Sequence, residues 1–273
     1  MPVTPPHLAW LVNTGQTIET ADGVLAELWE LQPEDDPVTL SAWAKHFRNH
    51  YCDDALLDKL RQGTGLSRGE FLDQIKFPDA AAAPGPSIRA GDFAEILVAD
   101  YVEYKLGYWS PRELRYDSKW NRNESTKGCD VLGFKFAIEG EASREDELFI
   151  FEAKASLSGN EAKNRLQNAV DDSTKDPVRE GMTLSALKQR SIERADDDAA
   201  AKIERFQNMA DRPFTLLSGA AAILSDHVYD ADLIATTTTA HHPNASGLRL
   251  IVVTGVALMP LVHALYERAR DEA

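Results

Sequence analysis

Four consecutive apolar residues, Leu148-Phe149-Ile150-Phe151, run directly into Glu152-Ala153-Lys154. A short apolar run without polar alternation reads as a strand buried on both faces. Side chains alternate along a strand, so Glu152 and Lys154 share one face while Phe149, Phe151 and Ala153 share the other. A carboxylate and an ammonium emerging from a buried strand are costly unless they are paired or bind a ligand. The fold must therefore cover this strand on both sides and open its end onto something polar.

Upstream, Gly128-Cys129-Asp130 opens a second apolar run, Val131-Leu132-Gly133-Phe134. A strand over 130–138 antiparallel to one over 147–155 makes a hairpin, with Gly140 to Asp146 as its loop. In that pairing Asp130 falls beside Glu152 and Lys154. A third carboxylate, Glu95, interrupts the apolar segment Phe93–Ala99 within a helix predicted from Ser87 to Leu106 and stopped by Gly107.

These residue types suit one chemistry. Carboxylates are hard oxygen ligands for Mg²⁺ or Mn²⁺. Asp130 and Glu152 would supply two ligands, and Glu95 would complete the shell directly or through water. Such an ion lowers the pKa of a bound water and offsets charge building on a phosphate. Lys154 would orient or deprotonate the attacking water, or hold the phosphate as a point charge. Glu95, Asp130, Glu152 and Lys154 are thus the candidate catalytic set for phosphodiester hydrolysis, the first three as metal ligands. Taken singly the signals are weak, since Glu-x-Lys is common as an exposed charge pair and Gly-x-Asp as a turn. Their order along the chain (helix acid, Gly-x-Asp strand, Glu-x-Lys strand, helix) gives them joint weight.

At 273 residues the chain is long enough for one large domain, or for a core with an accessory part. We divide it at the Ala/Pro/Gly joint Ala80–Pro86 into an N-terminal accessory region, 1–86, and a core, 87–273, ending in a strand from Leu248 and a helix from Pro260. Residues 8–12 are predicted as a first strand, and 40–61 carry helical periodicity. The net charge of -15 weighs against unaided nucleic-acid binding. The charge is uneven, however. Residues 1–60 hold ten acids against three bases, whereas 105–128 hold six bases against three acids. That basic stretch offers Lys119, Arg122 and Lys127 as phosphate contacts, and the following helix offers Lys163 and Gln167. Tyr108, Trp109, Tyr116 and Trp120, interleaved with these bases, either stack nucleobases or anchor the core.

No apolar run approaches the roughly 20 residues of a membrane span. The start, Met1 to Pro6, lacks the basic end of a signal peptide. Two cysteines, Cys52 and Cys129, imply no disulfide framework, so a cytoplasmic location is expected. His46 and His50 stand at helical spacing with Cys52 nearby; such pairs can bind zinc, but no fourth ligand is evident. His241-His242 lie in a polar loop and read as inert.

The set Glu95, Gly128-x-Asp130 and Glu152-x-Lys154 resembles the PD-(D/E)xK nuclease superfamily over roughly residues 87–170, with Gly-Cys-Asp where the pattern has Pro-Asp. More narrowly, the runs Ala90–Glu95, Lys127–Val131 and Phe151–Lys154 are similar to HamA, the nuclease subunit of the Hachiman anti-phage system. The resemblance implies an α/β fold: a PD-(D/E)xK restriction-endonuclease-like core, a mixed sheet of about five strands flanked by helices, with an N-terminal helical addition. It implies Mg²⁺ (or Mn²⁺) as cofactor, DNA as substrate, and a helicase or ATPase partner that restrains and then releases the nuclease. Two other classes stay open. A stand-alone restriction or repair nuclease should cut naked duplex by itself. A non-catalytic interaction subunit retaining the fold should lose nothing when Glu152 or Lys154 is replaced.

Overall fold

A computed structural model describes residues 3–111, 113–117 and 119–273; Arg112 of the basic stretch lies outside the described residues. The chain begins with a hairpin of β1 (Leu11–Glu19) and β2 (Leu25–Leu31). Three helices follow: α1 (Pro37–Asn49), α2 (Asp54–Arg61) and the single turn α3 (Arg68–Phe71). The long α4 (Gly85–Asp100) continues as a π-helical segment, Tyr101–Lys105. After α5 (Glu113–Tyr116) comes the hairpin of β3 (Val131–Lys135) and β4 (Glu147–Ser156). Helices α6 (Arg165–Ser173), α7 (Asp176–Glu193) and α8 (Asp197–Glu204) lead to β5 (Thr215–Ser225). The chain ends with α9 (Ala231–Ala235), β6 (Leu248–Gly255) and α10 (Leu258–Asp271).

All six strands join one mixed sheet in the order β1-β2-β6-β5-β4-β3. The four central strands, β2, β6, β5 and β4, run parallel, and an antiparallel strand closes each end. Parallel strands need crossovers and helices over both faces. One face is covered by α4, α1 and α10, where Phe149, Phe151 and Ala153 meet Phe93 and Leu97. The other is covered by α6 beside β5, and by α7 and α8 beside β4, where Leu148 and Ile150 meet Leu184, Leu187 and Phe206. The unbroken apolar start of β4 is thus explained, because both faces lie in the interior. Gly219 on β5 makes room for this: a Cβ there would come within 2.4 Å of the Phe151 ring.

The hairpin register puts Val131 opposite Phe151, which carries Asp130 to the level of Glu152, as the spacing predicts. Elsewhere the chain differs from the sequence reading. Residues 6–10 form a 3₁₀ turn rather than a strand, since Pro6 enters its first turn, and β1 starts only at Leu11. The helical span 40–61 is two helices; the Asp53 carboxylate accepts from the Ala55 amide and starts the second. Neither β2 nor β5 was anticipated, so the sheet has six strands rather than about five. The N-terminal part also supplies two of those strands, not helices alone. Among the described residues no helix is long and apolar enough to cross a membrane.

Candidate functional site

The end of β4 opens into a cleft of about 820 Å³ lined by Asp130, Glu152, Lys154, Arg165, Asp172 and Arg179, with Glu95, Lys127 and Gly128 at its wall. Gly128 makes the turn into β3. Its φ is +100°, and a Cβ would meet the Thr183 hydroxyl of α7 at 2.6 Å. A glycine is therefore required twice over, for the backbone and for the close approach of the helix. The same hydroxyl accepts from the Cys129 amide at 3.1 Å, so α7 is pinned to the start of the Asp130 strand.

Four carboxylates gather around that point. Asp130, its side chain 13% exposed, accepts from the Ala153 amide at 3.1 Å and from Arg115 at 3.2 Å. Glu152 is buried; its Oε1 accepts from Lys154 at 2.7 Å, while its Oε2 has no hydrogen-bond partner. Asp176, in the first turn of α7, is buried with both oxygens lacking a partner of ordinary length. The weak Cys129 thiol and the Arg179 guanidinium, 3.9 Å away, offset its charge. Arg179 also lies 3.6 Å from Glu152 Oε2. Asp172 of α6 takes the other side of Lys154, at 2.7 Å.

The electrostatics follow from this crowding. Burial, and then the Glu152 charge, pushes the Asp130 carboxyl up to about 7. Burial, and then Asp130, pushes Asp176 up to about 7 as well. Glu152 is raised by burial, against the pull of Lys154. Burial works to lower the Lys154 ammonium, but Glu152 and Asp172 outweigh it and hold the proton more firmly than usual. In this arrangement Lys154 pairs with both Glu152 and Asp172.

Glu95 is brought to the neighbourhood but not into the group. Its Oε2 accepts from Arg115 Nε at 2.8 Å and from the Tyr116 hydroxyl at 2.8 Å. The Arg115 guanidinium stands between Glu95 and Asp130 and also donates to the Cys129 carbonyl. Among the described residues, Glu95, Asp130 and Glu152 do not bring ligand atoms within 4.8 Å of one another. An ion shared by all three therefore requires the carboxylates to move closer, and Arg115, which pairs with Glu95 and Asp130, to move with them.

The predicted phosphate contacts divide. Lys127 is exposed at the cleft wall. Lys119 is consumed internally: its ammonium pairs with buried Asp92 at 2.5 Å and lies over the Tyr51 and Tyr116 rings. Arg122 clamps the 73–79 segment through the Asp73 and Phe77 carbonyls and Asp79. Gln167 bonds Asp171 and holds Thr238 through both backbone groups. Lys163 is exposed beside Glu161, outside the cleft lining. Of the aromatics, Tyr108 and Tyr116 are core and Trp109 packs on Phe134, whereas Trp120 is fully exposed. Asp172, Asp176, Arg165 and Arg179 were missed. Asp172, Asp176 and Arg179 are spaced four and three apart, a one-face pattern that Pro177 masks by splitting the run into two helices.

Sheet, helices and cleft together have the layout of a restriction-endonuclease-like α/β core. The family follows from a comparison along the whole chain: the family model of HamA matches residues 6–269, and the chain belongs to the HamA family. No curated protein matches it.

Proposed function

We propose that the chain is a metal-dependent nuclease that hydrolyses DNA phosphodiester bonds as the effector of an anti-phage defence complex. One observation carries this reading. Glu152 Oε2, in the cleft lining, is buried without a hydrogen-bond partner, and the buried Asp176 oxygens behind it have only the weak Cys129 thiol, beside an Asp130 whose charge they repel. Buried acceptors without donors are rare, and a hard cation satisfies them. Asp130, Glu152 and Asp176, whose ligand atoms also do not all lie within 4.8 Å of one another, would draw together to hold Mg²⁺ or Mn²⁺, and Glu95 would join them once Arg115 is released. The ion, when bound, supplies a more acidic water and positive charge against the phosphate.

The chain's own groups do the rest. Lys154, held protonated between Glu152 and Asp172, donates to a phosphate oxygen and neutralises charge as it grows. Arg179 and Lys127 line the path along which a strand would lie. The position of Arg115 between Glu95 and Asp130 fits a restrained state that a partner relieves. A helicase or ATPase partner is part of the proposal for a second reason: with a net charge of -15, and with Lys119 and Arg122 spent internally, the chain draws DNA weakly by itself.

The test is cleavage of plasmid and linear DNA with Mg²⁺ or Mn²⁺, with and without the partner. Cutting that vanishes with chelator and in both Glu152→Ala and Lys154→Ala is the expected result. Cutting that survives both substitutions would remove this site from the chemistry.

A further inference from the structure

We propose that His7, His46, His50 and Asp100 form a Zn²⁺ site, separate from the cleft and structural in role. The four residues come from three places in the fold. His7 lies in the 3₁₀ turn Pro6–Trp10, His46 in the last turn of α1, His50 at its C-cap, and Asp100 at the end of α4. His7, His50 and Asp100 are buried and His46 is partly so. His7 Nε2 lies 3.0 Å from Asp100 Oδ2, and His46 Nε2 lies 2.9 Å from Asp100 Oδ1. His50 Nε2 lies 3.3 Å from the same His46 nitrogen. Ligand atoms of His7, His46 and Asp100 all fall within 4.8 Å of one another.

Hydrogen bonding alone serves this arrangement poorly. A neutral imidazole nitrogen is either a donor or an acceptor. His46 Nε2 must donate to the Asp100 carboxylate, and as a neutral ring it then has neither a lone pair nor a second hydrogen for its 3.3 Å contact with His50 Nε2. A cation among the four removes the conflict, because each imidazole can present a lone pair to it. With Zn–N bonds of about 2.0–2.1 Å, tetrahedral ligands stand roughly 3.3–3.4 Å apart. The His46–His50 separation of 3.3 Å has that spacing, and the contacts of His7 and His46 to Asp100 need open only by a few tenths of an ångström, whereas His50, outside the 4.8 Å cluster of the other three, has to swing in to close the shell.

Three imidazoles with one carboxylate suit Zn²⁺ and not Mg²⁺, which takes oxygen ligands. Four protein ligands in a buried place close the shell, as in structural zinc sites. The rings are held in position: His7 stacks on Trp43 with centroids 4.6 Å apart, and His50 meets the edge of Tyr116. The ion would fasten the N-terminal turn and α1 to the end of α4, the helix that carries Asp92 and Glu95.

The experiment is metal analysis of the purified full chain after desalting, with cobalt substitution as a second readout. About one zinc per chain is expected, falling to near zero in His46→Gln and His50→Gln, with tetrahedral d–d absorption from the cobalt form. Glu152→Ala and Asp130→Ala should keep the zinc, which separates this site from the cleft. A strong chelator should lower the melting temperature of the wild type by several degrees. A wild-type chain that carries no zinc and takes up neither Zn²⁺ nor Co²⁺ would overturn the proposal, as would full zinc content in both histidine variants. Should the variants fail to fold, the wild-type stoichiometry and cobalt spectrum decide the matter.

Discussion

Helix α4 touches two polar clusters that solve the problem of buried charge in opposite ways. Around Glu95, at the cleft, carboxylates outnumber their partners. Glu152 Oε2 has no donor and Asp176 only the weak Cys129 thiol, and Asp130 and Asp176 are pushed toward neutral pH. Five residues further along, Asp100 is fully buried but surrounded by imidazoles. The first cluster is rich in oxygen and opens to a cleft; the second is rich in nitrogen and closed. An open oxygen site fits an exchangeable hard ion and a substrate, whereas a closed nitrogen site fits a permanent ion and rigidity.

The sharpest way to break this contrast is to remove the cleft chemistry alone. Glu152→Ala or Lys154→Ala should reduce DNA cleavage by a factor on the order of 10²–10⁴ while leaving zinc content unchanged. Cleavage and metal content falling together would merge the two clusters into one.

Arg115→Ala should follow in size. The guanidinium is nearly buried between Glu95 and Asp130, and removing it leaves buried charge uncompensated, a loss of about 3–5 kcal/mol. Denaturant melts measure this; an unchanged midpoint would show that Glu95 is not held as described.

The pH dependence separates the clusters further. Asp130 and Asp176 have folded pKa values of about 7, above the ordinary 3.8. Raised carboxyls favour the folded state at low pH, where they keep their protons. That relative stability is lost as pH rises from about 4 through 7. In chelator the melting temperature should therefore fall by a few degrees between pH 5 and pH 8, and Mg²⁺ should reverse much of the fall. A melt that is flat in pH, or unmoved by Mg²⁺, would deny the crowding of these acids.

Gly128→Ala should cost about 1–2 kcal/mol from its positive φ, plus the displacement of Thr183. The smallest effect is expected of Lys163→Ala, exposed and outside the cleft lining: within about 0.5 kcal/mol in stability, with cleavage unchanged. A clear loss of cleavage in that variant would extend the DNA path over α6.

Much of the cleft was legible because it lies in local pattern. The unalternating run before Glu152 announced a strand covered on both faces, and the distance back to Gly128-Cys129-Asp130 suited a hairpin. The register then followed from side-chain alternation. What stayed hidden came from elsewhere in the chain. β5 is a run of small residues, Ser218-Gly219-Ala220-Ala221-Ala222, whose strand character rests on its neighbours rather than on β-branched propensity. Lys119 and Arg122 looked like surface bases, and only packing shows that Asp92 and the 73–79 segment consume them. Asp176 has no local signal that sets it apart from the other acids of its segment.

The sequence by itself determined the β3–β4 hairpin and the placement of Asp130, Glu152 and Lys154 at one strand end, because these depend on short-range periodicity; the α/β class came with the resemblance its motifs carry. Tertiary structure alone decided that Asp172 and Arg179 enter the same cleft with Asp176 buried beside it, that Arg115 stands between Glu95 and Asp130, and that His7 and Asp100 meet a histidine pair from α1. Those meetings join residues up to 93 positions apart, and no local rule of backbone geometry reaches that far.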